Sequence, residues 1–284
     1  MFARLLPALD PGEDPPPVAP ERRLAARALI LVALVLLAAI PFVPPPEPGL
    51  LAAPATHGPL LAGLAATAAI ALARGLWGAA HVAVLATLYL AAHLLPVVGA
   101  AWPLPLPVIL GAHLLWTAAL PAARRSATFL RRGAVDRPTW GLIVAFSAAA
   151  TIALVTWRAT TDADLARYRD FVPPGLPAWL LFAGVLPYAA LNAAFEEYVW
   201  RGVLWEGIQG AFDRRIALAL TALSFGLAHY RGFPSGAVGV GLAVVYGLMM
   251  GVVRARSGGL LGPFLAHVVA DVVIYALVVA MILG

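Results

Sequence analysis

The sequence predicts an all-α, polytopic transmembrane helix bundle of about eight or nine spans. Hydrophobic residues make up 62% of the 284 residues, charged residues only 12%, and the mean hydropathy is +0.89. Apolar runs long enough to cross a hydrocarbon core of about 30 Å recur along the chain, separated by short stretches of Pro, Gly and Arg. Soluble folds do not show this pattern, so we expect an integral membrane protein that contacts the lipid bilayer.

The chain divides into four predicted regions. Residues 1–25 are too rich in proline to pack and are expected to form a disordered cytoplasmic tail. Residues 26–158 are expected to be N-terminal transmembrane helices without motifs, 159–176 an extramembrane loop, and 177–284 the transmembrane core that carries the chemistry. The predicted spans are 28–43, 59–73, 76–98, 104–122, 139–157, 177–205, 215–230, 236–253 and 260–283.

The positive charges predict the orientation of these spans. The net charge of +5 comes from arginines that cluster in short loops between apolar runs, so it indicates membrane topology and no nucleic-acid partner. With a cytoplasmic N-terminus, every arginine-rich loop falls inside, as the positive-inside rule requires, and the C-terminus falls outside. These loops contain Arg22, Arg23 and Arg27, then Arg74, then Arg124, Arg125, Arg131, Arg132 and Arg137, then Arg214 and Arg215, then Arg254 and Arg256.

Several protease chemistries are excluded by residues that the chain lacks. It has no cysteine, which removes thiolate metal sites and cysteine nucleophiles. It also lacks the Gly-x-Ser-Gly string of a rhomboid-type serine enzyme, the His-Glu-x-x-His of a zincin and the Gly-x-Gly-Asp of the presenilin kind.

Ionisable side chains in three apolar segments are the candidate functional residues. Glu196 and Glu197 are adjacent in one segment, His229 lies near the end of a second, and His267 and Asp271 lie in the last. An acidic side chain near the bilayer centre costs roughly 2.5 to 3.5 kcal/mol on insertion scales, so a chain that keeps several there is expected to use them. They predict a buried reaction site or an ion path.

Helical spacing suggests how these groups are arranged. Glu197 and Arg201 are four residues apart and share a helix face, where an ion pair can form, whereas Glu196 is rotated away by about a third of a turn. His267 and Asp271, also four apart, project side by side. Counted from the cytoplasmic ends, the candidate groups lie roughly 10 to 20 Å deep, in one layer of the membrane.

Three motifs stand in order on consecutive late segments, and together they resemble the CPBP family. They are Glu196-Glu197-x-x-x-Arg201, Phe225-x-x-x-His229 and His267-x-x-x-Asp271. This family includes CAAX prenyl endopeptidases and bacteriocin-processing or Abi proteins, and the resemblance covers roughly residues 177–284. The last motif often ends in asparagine, where this chain has aspartate.

The resemblance implies an intramembrane endopeptidase of the glutamate type. Glu196 and His229 would activate the water that attacks the scissile carbonyl. His267 and Asp271 would stabilise the oxyanion, with Asp271 either orienting the imidazole or itself protonated. Glu197, Arg201 and Phe225 would support these groups.

No cofactor is expected, because the resemblance favours a metal-free mechanism. Zinc is the alternative, since histidines and carboxylates are ligand types that suit it. The remaining histidines, His57, His81, His93 and His113, have no partners at ligand or catalytic spacing and are interpreted as loop or packing residues.

The expected partner is a membrane-anchored protein or peptide, cleaved near its C-terminal anchor or sorting signal. The resemblance offers three substrates or roles: cleavage after a prenylated cysteine, maturation of anchored proteins as by a myxosortase-like enzyme, and bacteriocin self-protection. The Ala, Arg and Pro bias without lysine is typical of a GC-rich bacterial genome, so the inner (cytoplasmic) membrane is the expected location. The competing class is a non-enzymatic membrane protein, such as a proton-coupled carrier or a bacteriocin-immunity scaffold.

Overall fold

The computed structural model describes residues 19–43, 57–161 and 176–283, and these residues form helices without strands. Most of the predicted tail and of the predicted loop at 159–176 lies outside the described residues. The first helix begins at Pro20, eight residues before the predicted span, because a proline in its first turn and Glu21 favour a helix N-terminus there.

The α-helices follow one another along the chain with short connections. Their bounds are α1 Pro20–Ala39, α2 His57–Ala73, α3 Trp77–Leu94, α4 Pro96–Ala100, α5 Pro105–Ala119, α6 Pro121–Ser126, α7 Arg137–Thr160, α8 Ala178–Glu196, α9 Trp205–Gln209, α10 Arg214–Ala228, α11 Gly236–Ser257 and α12 Leu261–Leu283. Residues Glu197–Leu204 form a π-helix between α8 and α9, and His229–Arg231 form a 3₁₀ turn after α10.

The nine predicted spans all fall on helices, which confirms the all-α transmembrane bundle. In the part of the chain that the structure describes, six helical segments are long and apolar enough to cross a membrane: Pro20–Phe42, Trp77–Leu94, Arg137–Thr160, Ala178–Gln209, Gly236–Ser257 and Leu261–Ala280. The other three, α2, α5 and α10, have 17, 15 and 15 residues. At 1.5 Å per residue these three cover about 22 to 26 Å, which is less than the hydrocarbon core.

Two groups of helices pack around the later part of the chain. Helix α3 contacts α1, α2 and α5, and its small residues Ala80 and Ala83 are fully buried. Helix α12 packs against α8 and α7, while α10 packs along α11. The π-helix touches both groups, since it contacts α3 on one side and α10 and α12 on the other.

Glycines allow α10 and α11 to approach closely. A Cβ added at Gly226 would lie 2.9 Å from the Val240 carbonyl oxygen and would also overlap the Val244 side chain. A Cβ added at Gly247 would lie 3.0 Å from the Cα of Ala222. This contact fixes the end of α10, where His229 follows three residues after Gly226.

The segment with the two glutamates departs from the regular α-helix that the sequence predicts for 177–205. The helix changes to π geometry at Glu197, and every residue from there to Leu204 is buried. The Arg201 carbonyl accepts a hydrogen bond of 2.9 Å from Nε of Arg254 on α11, whose guanidinium also pairs with Glu206 at 2.5 Å. Neighbouring elements therefore stabilise this turn, which is a geometry found mostly at functional sites.

Candidate active site

The four predicted catalytic side chains come together where α8, α10 and α12 meet. His267 Nε2 lies 3.4 Å from Glu196 Oε2 and 3.7 Å from Asp271 Oδ1, and His229 Nε2 lies 4.0 Å from the same Glu196 oxygen. Side chains from three helices thus form one polar cluster within an apolar bundle.

Glu196 and His229 form the more accessible half of the cluster, with side chains 15% and 21% exposed. His229 Nδ1 donates a hydrogen bond of 2.8 Å to the Phe225 carbonyl oxygen. Because that carbonyl can only accept, Nδ1 carries the proton and the neutral ring keeps a lone pair on Nε2. A water molecule about 2.8 Å from each atom could bridge Nε2 and the Glu196 carboxylate.

Glu197 is buried, with a side chain only 1% exposed, and it has two partners. Its Oε1 lies 3.1 Å from the Arg201 guanidinium, as the spacing of four residues predicts, and it accepts a 2.6 Å hydrogen bond from His267 Nδ1. The second contact was not predicted from the sequence. It links the first motif to the third across two helices.

Phe225 lies between Arg201 and His229. The Arg201 guanidinium carbon is 4.4 Å from the centre of the Phe225 ring, a cation–π distance, and the His229 ring centre is 4.3 Å away. The Phe225 ring is buried, and its backbone carbonyl holds His229. This residue therefore positions both a buried cation and an accessible imidazole.

His267 lies among three carboxylates, those of Glu196, Glu197 and Asp271. With Nδ1 donating to Glu197, the atom that faces Glu196 and Asp271 is Nε2. Arg201 can balance only one ionised carboxylate, so a proton on Nε2 would balance a second one in this poorly solvated place.

Asn192 belongs to the cluster although the sequence analysis gave it no role. Its Nδ2 donates a 3.1 Å hydrogen bond to Asp271 Oδ2. Asn192 precedes Glu196 by four residues in the same apolar run, and this helical spacing from a candidate residue is the signal that could have found it.

The family comparison matches the part of the chain that contains this cluster. Residues 177–273 match the family model for the type II CAAX prenyl endopeptidase, Rce1-like. We call residues 177–273, which are similar to this family, the Rce1-like core. The match confirms the resemblance drawn from the three motifs. Neither a curated protein nor a solved structure matches the chain.

The apolar helices identify the chain as an integral membrane protein. The similarity of residues 177–273 to a CAAX protease family supports protease activity on a membrane-anchored protein. The Rce1-like core begins at the start of α8 and includes the cluster from Asn192 to Asp271. Helices α1 to α7 lie outside the match.

A cavity of about 110 Å³ opens beside the cluster of the Rce1-like core. His229, Tyr246, His267 and Asp271 line its polar end, and apolar side chains line the rest. The Tyr246 hydroxyl is buried and has no hydrogen-bond partner among the described residues.

The other histidines contact residues outside the cluster. His81 and His113 pack against aromatic rings, and His113 Nδ1 lies 2.6 Å from the Tyr198 hydroxyl. His93 Nδ1 bonds the Tyr89 carbonyl at 2.7 Å, and His57 is buried. These contacts agree with the prediction of packing roles.

No group of three or more histidine, aspartate and glutamate side chains in residues 19–43, 57–161 and 176–283 is arranged to hold a metal ion. Arg201 and His267 bind Glu197, and Asn192 binds Asp271, whereas Oε2 of Glu196 has no hydrogen-bond partner among the described residues.

Proposed function

We propose that the protein is an intramembrane endopeptidase of the glutamate type, which hydrolyses a peptide bond of a membrane-anchored protein or peptide near its C-terminal anchor or sorting signal. One observation carries the proposal. Glu196 and Nε2 of His229 face each other at 4.0 Å in the Rce1-like core, while Nδ1 of the same ring is bound to the Phe225 carbonyl oxygen. A carboxylate and an imidazole at this distance can hold and activate one water.

In the proposed first step, the water oxygen bonds to the scissile carbonyl carbon while one of its protons passes to Glu196. The other water proton is hydrogen-bonded to His229 Nε2, which orients the nucleophile. The carbon–nitrogen bond then breaks as the proton held by Glu196 passes to the leaving nitrogen. The products are a new carboxyl terminus and a new amino terminus, and Glu196 is again ionised.

The developing oxyanion would receive a hydrogen bond from His267. Its Nδ1 is held by Glu197, so a proton on Nε2 is the free donor, and the nearby carboxylates favour the protonated ring. Asn192 donates a hydrogen bond to one oxygen of Asp271, and the other oxygen lies 3.7 Å from His267 Nε2. Asp271 would therefore orient this donor.

Glu197, Arg201 and Phe225 would act by positioning. Glu197 is almost fully buried, and its Oε1 contacts both Arg201 and His267, so burial separates it from a substrate. The proposed mechanism uses no metal, and the binding of these carboxylates by arginine, asparagine and histidine supports that choice.

A comparison of membrane proteomes tests this function. Cells that lack the protein, and cells that carry Glu196→Gln, should accumulate anchored proteins with an unprocessed terminus, because the general base is missing. Cells carrying Glu21→Gln, a change in an exposed acid on α1, should process these proteins normally. Equal processing in wild-type and Glu196→Gln cells would refute the proposal.

The same variants test the alternative of a proton-coupled carrier. Liposomes that contain the purified protein would show proton flux dependent on Glu196 if the acids formed a relay. The endopeptidase proposal predicts cleavage and no such flux.

A further inference from the structure

We propose that Tyr188, Tyr275 and Trp102 are positioning residues for the reaction, which hold Asp271, and through it His267, in place. Trp102 and Tyr275 lie outside the residues that match the family model. This inference rests on the proposed peptidase function and deepens it, because it assigns a role in the reaction to residues that the mechanism above does not use.

Helices α8 and α12 face each other through three pairs of side chains, which we call the ladder. The pairs are Glu196 with His267 (Oε2 to Nε2, 3.4 Å), Asn192 with Asp271 (Nδ2 to Oδ2, 3.1 Å) and Tyr188 with Tyr275 (ring centres, 3.9 Å). Successive pairs are four residues apart on both helices, so each helix contributes one face. The numbers rise along α8 as they fall along α12, so the two helices run in opposite directions.

The ladder has a catalytic end and an aromatic end. The first pair contains the proposed base and the proposed oxyanion donor. The second pair holds Asp271, whose other oxygen lies 3.7 Å from His267 Nε2. The third pair, Tyr188 with Tyr275, is half-buried and lies one helical turn beyond Asp271 in the same row. It is therefore placed to fix the helices next to the carboxylate that orients the donor.

Trp102 ties the aromatic end of the ladder to another part of the bundle. It lies in the connection between α4 and α5, and its Nε1 donates a hydrogen bond of 2.6 Å to the Tyr188 hydroxyl oxygen. Helix α5 also contacts α8. Tyr188 is thus held by Tyr275 on one side and by Trp102 on the other, and these contacts restrain the first half of α8.

The geometry of α8 explains why such a restraint matters. Pro187 lies inside this helix directly before Tyr188, and a proline removes one backbone hydrogen bond of a helix. If α12 slid along α8 by one residue, its side chains would move by about 1.5 Å and turn by about 100°. Asp271 would then leave Asn192 and His267. Two bulky rings in contact oppose this slip.

The experiment measures kcat and KM separately for the purified full-length protein in lipid nanodiscs. The substrate is a lipid-anchored peptide, selected by mass spectrometry from a library as one that the wild type cleaves at a single bond. Tyr275→Ala removes the ring and should lower kcat by about 10- to 100-fold, because a misplacement of about 1 Å can cost about 100-fold. KM should stay near the wild-type value, and Tyr275→Phe, which keeps the ring, should restore most of kcat.

Variants of the hydrogen bond test the aromatic end without removing a ring. Trp102→Phe removes the donor and Tyr188→Phe removes the acceptor, so each should lower kcat and the double variant should be no slower than either single one. Trp140→Phe, at an exposed tryptophan of α7, and Phe182→Ala, at an exposed aromatic residue of α8, are the matched controls. Both should leave kcat unchanged.

A second double variant tests whether the aromatic pair acts through Asp271. In the Asp271→Leu background, Tyr275→Ala should lower kcat no further, because the carboxylate that the pair positions is absent. A pair that served only the stability of the fold would instead lower the unfolding temperature in both backgrounds and leave the kcat of the folded protein unchanged.

The possible results separate this inference from the function on which it rests. An unchanged kcat for Tyr275→Ala, an equal loss in Tyr275→Phe, a rise in KM alone, or an additive loss in the Asp271→Leu background overturns the positioning role and leaves the peptidase. If Tyr275→Ala folds poorly, the variants of Trp102 and Tyr188 decide, and full activity in both overturns the role. Absence of cleavage by the wild type, or equal cleavage by Glu196→Gln, overturns both.

Discussion

Two adjacent glutamates differ in their surroundings, and we expect them to differ in their roles. Glu196 points toward His229 and its side chain is 15% exposed, whereas Glu197 is enclosed between Arg201 and His267. The difference arises from the helix geometry, which sends neighbouring side chains in different directions. One carboxylate is therefore available for chemistry and the other for structure.

Arg201→Met should destabilise the fold, because it leaves Glu197 as a buried charge without its guanidinium partner. Removing one member of a buried ion pair costs about 3–5 kcal/mol. Glu196→Gln should cost much less, because Glu196 is more exposed and His267 keeps Glu197 and Asp271 as partners. The free energy of unfolding in mixed detergent should be measured for both variants. An equal loss of stability in the two would contradict the assignment of these roles.

The substitution Asp271→Asn should preserve most of the activity. An asparagine side chain can keep its oxygen near His267 Nε2 as an acceptor and donate its amide to the oxygen of Asn192, once the Asn192 amide turns over. Asp271→Leu removes both contacts and should lower kcat/KM on the order of 100-fold. If Asp271→Asn is as inactive as Asp271→Leu, the carboxylate itself is required and an orienting role alone is insufficient.

At the scale of elements, the π-helix and the close packing of α10 on α11 position the cluster. The π-helix provides Glu197 and Arg201. Helix α10 ends at Ala228, two residues after its close contact with α11 at Gly226, and His229 follows. A shift of either element would alter the separation of Glu196 and His229.

Gly226→Ala should destabilise the protein and reduce activity, because the added methyl group overlaps Val244 and approaches the Val240 carbonyl oxygen. Overpacking of this kind typically costs about 1–3 kcal/mol. Gly241→Ala on α11 is the control, since nothing lies within 4 Å of a Cβ added there. Thermal unfolding in detergent compares the two, and an equal effect would contradict the packing argument.

The sequence predicted the helices better than their local geometry. Hydropathy located every long helix, since lipid demands apolar residues over the whole span. The change to π geometry at Glu197 escaped prediction because it depends on contacts from distant residues, among them the hydrogen bond from Arg254 to the Arg201 carbonyl. Helix propensity and hydropathy patterns depend on residues that are close in the sequence, so they contain no information about such distant partners.

Sequence spacing predicted only some of the contacts in the candidate cluster. Spacing predicted the pair of Glu197 with Arg201, because both belong to one helical segment. His267 contacts Glu197, and Ala149 and Ala150 of α7 line the cavity beside the cluster. These contacts join residues far apart in the chain, so only the fold brings them together.

At the scale of the whole molecule, the arginine distribution predicts which side of the membrane each loop faces. The chain lacks cysteine, so single-cysteine variants can be labelled without background. Ala134→Cys, in the loop between α6 and α7, should react with an impermeant thiol reagent from the cytoplasmic side only. Ala101→Cys, between α4 and α5, should react from the opposite side, and both residues are exposed. Labelling of both from one side would refute the predicted topology.

The central claim is that Glu196 activates the hydrolytic water inside the Rce1-like core. The most direct test is the single-turnover cleavage rate of a lipid-anchored peptide by the purified protein, for the wild type, Glu196→Gln and Glu21→Gln. Loss of a general base typically costs about 100- to 10,000-fold, so Glu196→Gln should fall by at least about 100-fold while Glu21→Gln matches the wild type. Cleavage by Glu196→Gln at the wild-type rate would contradict the account.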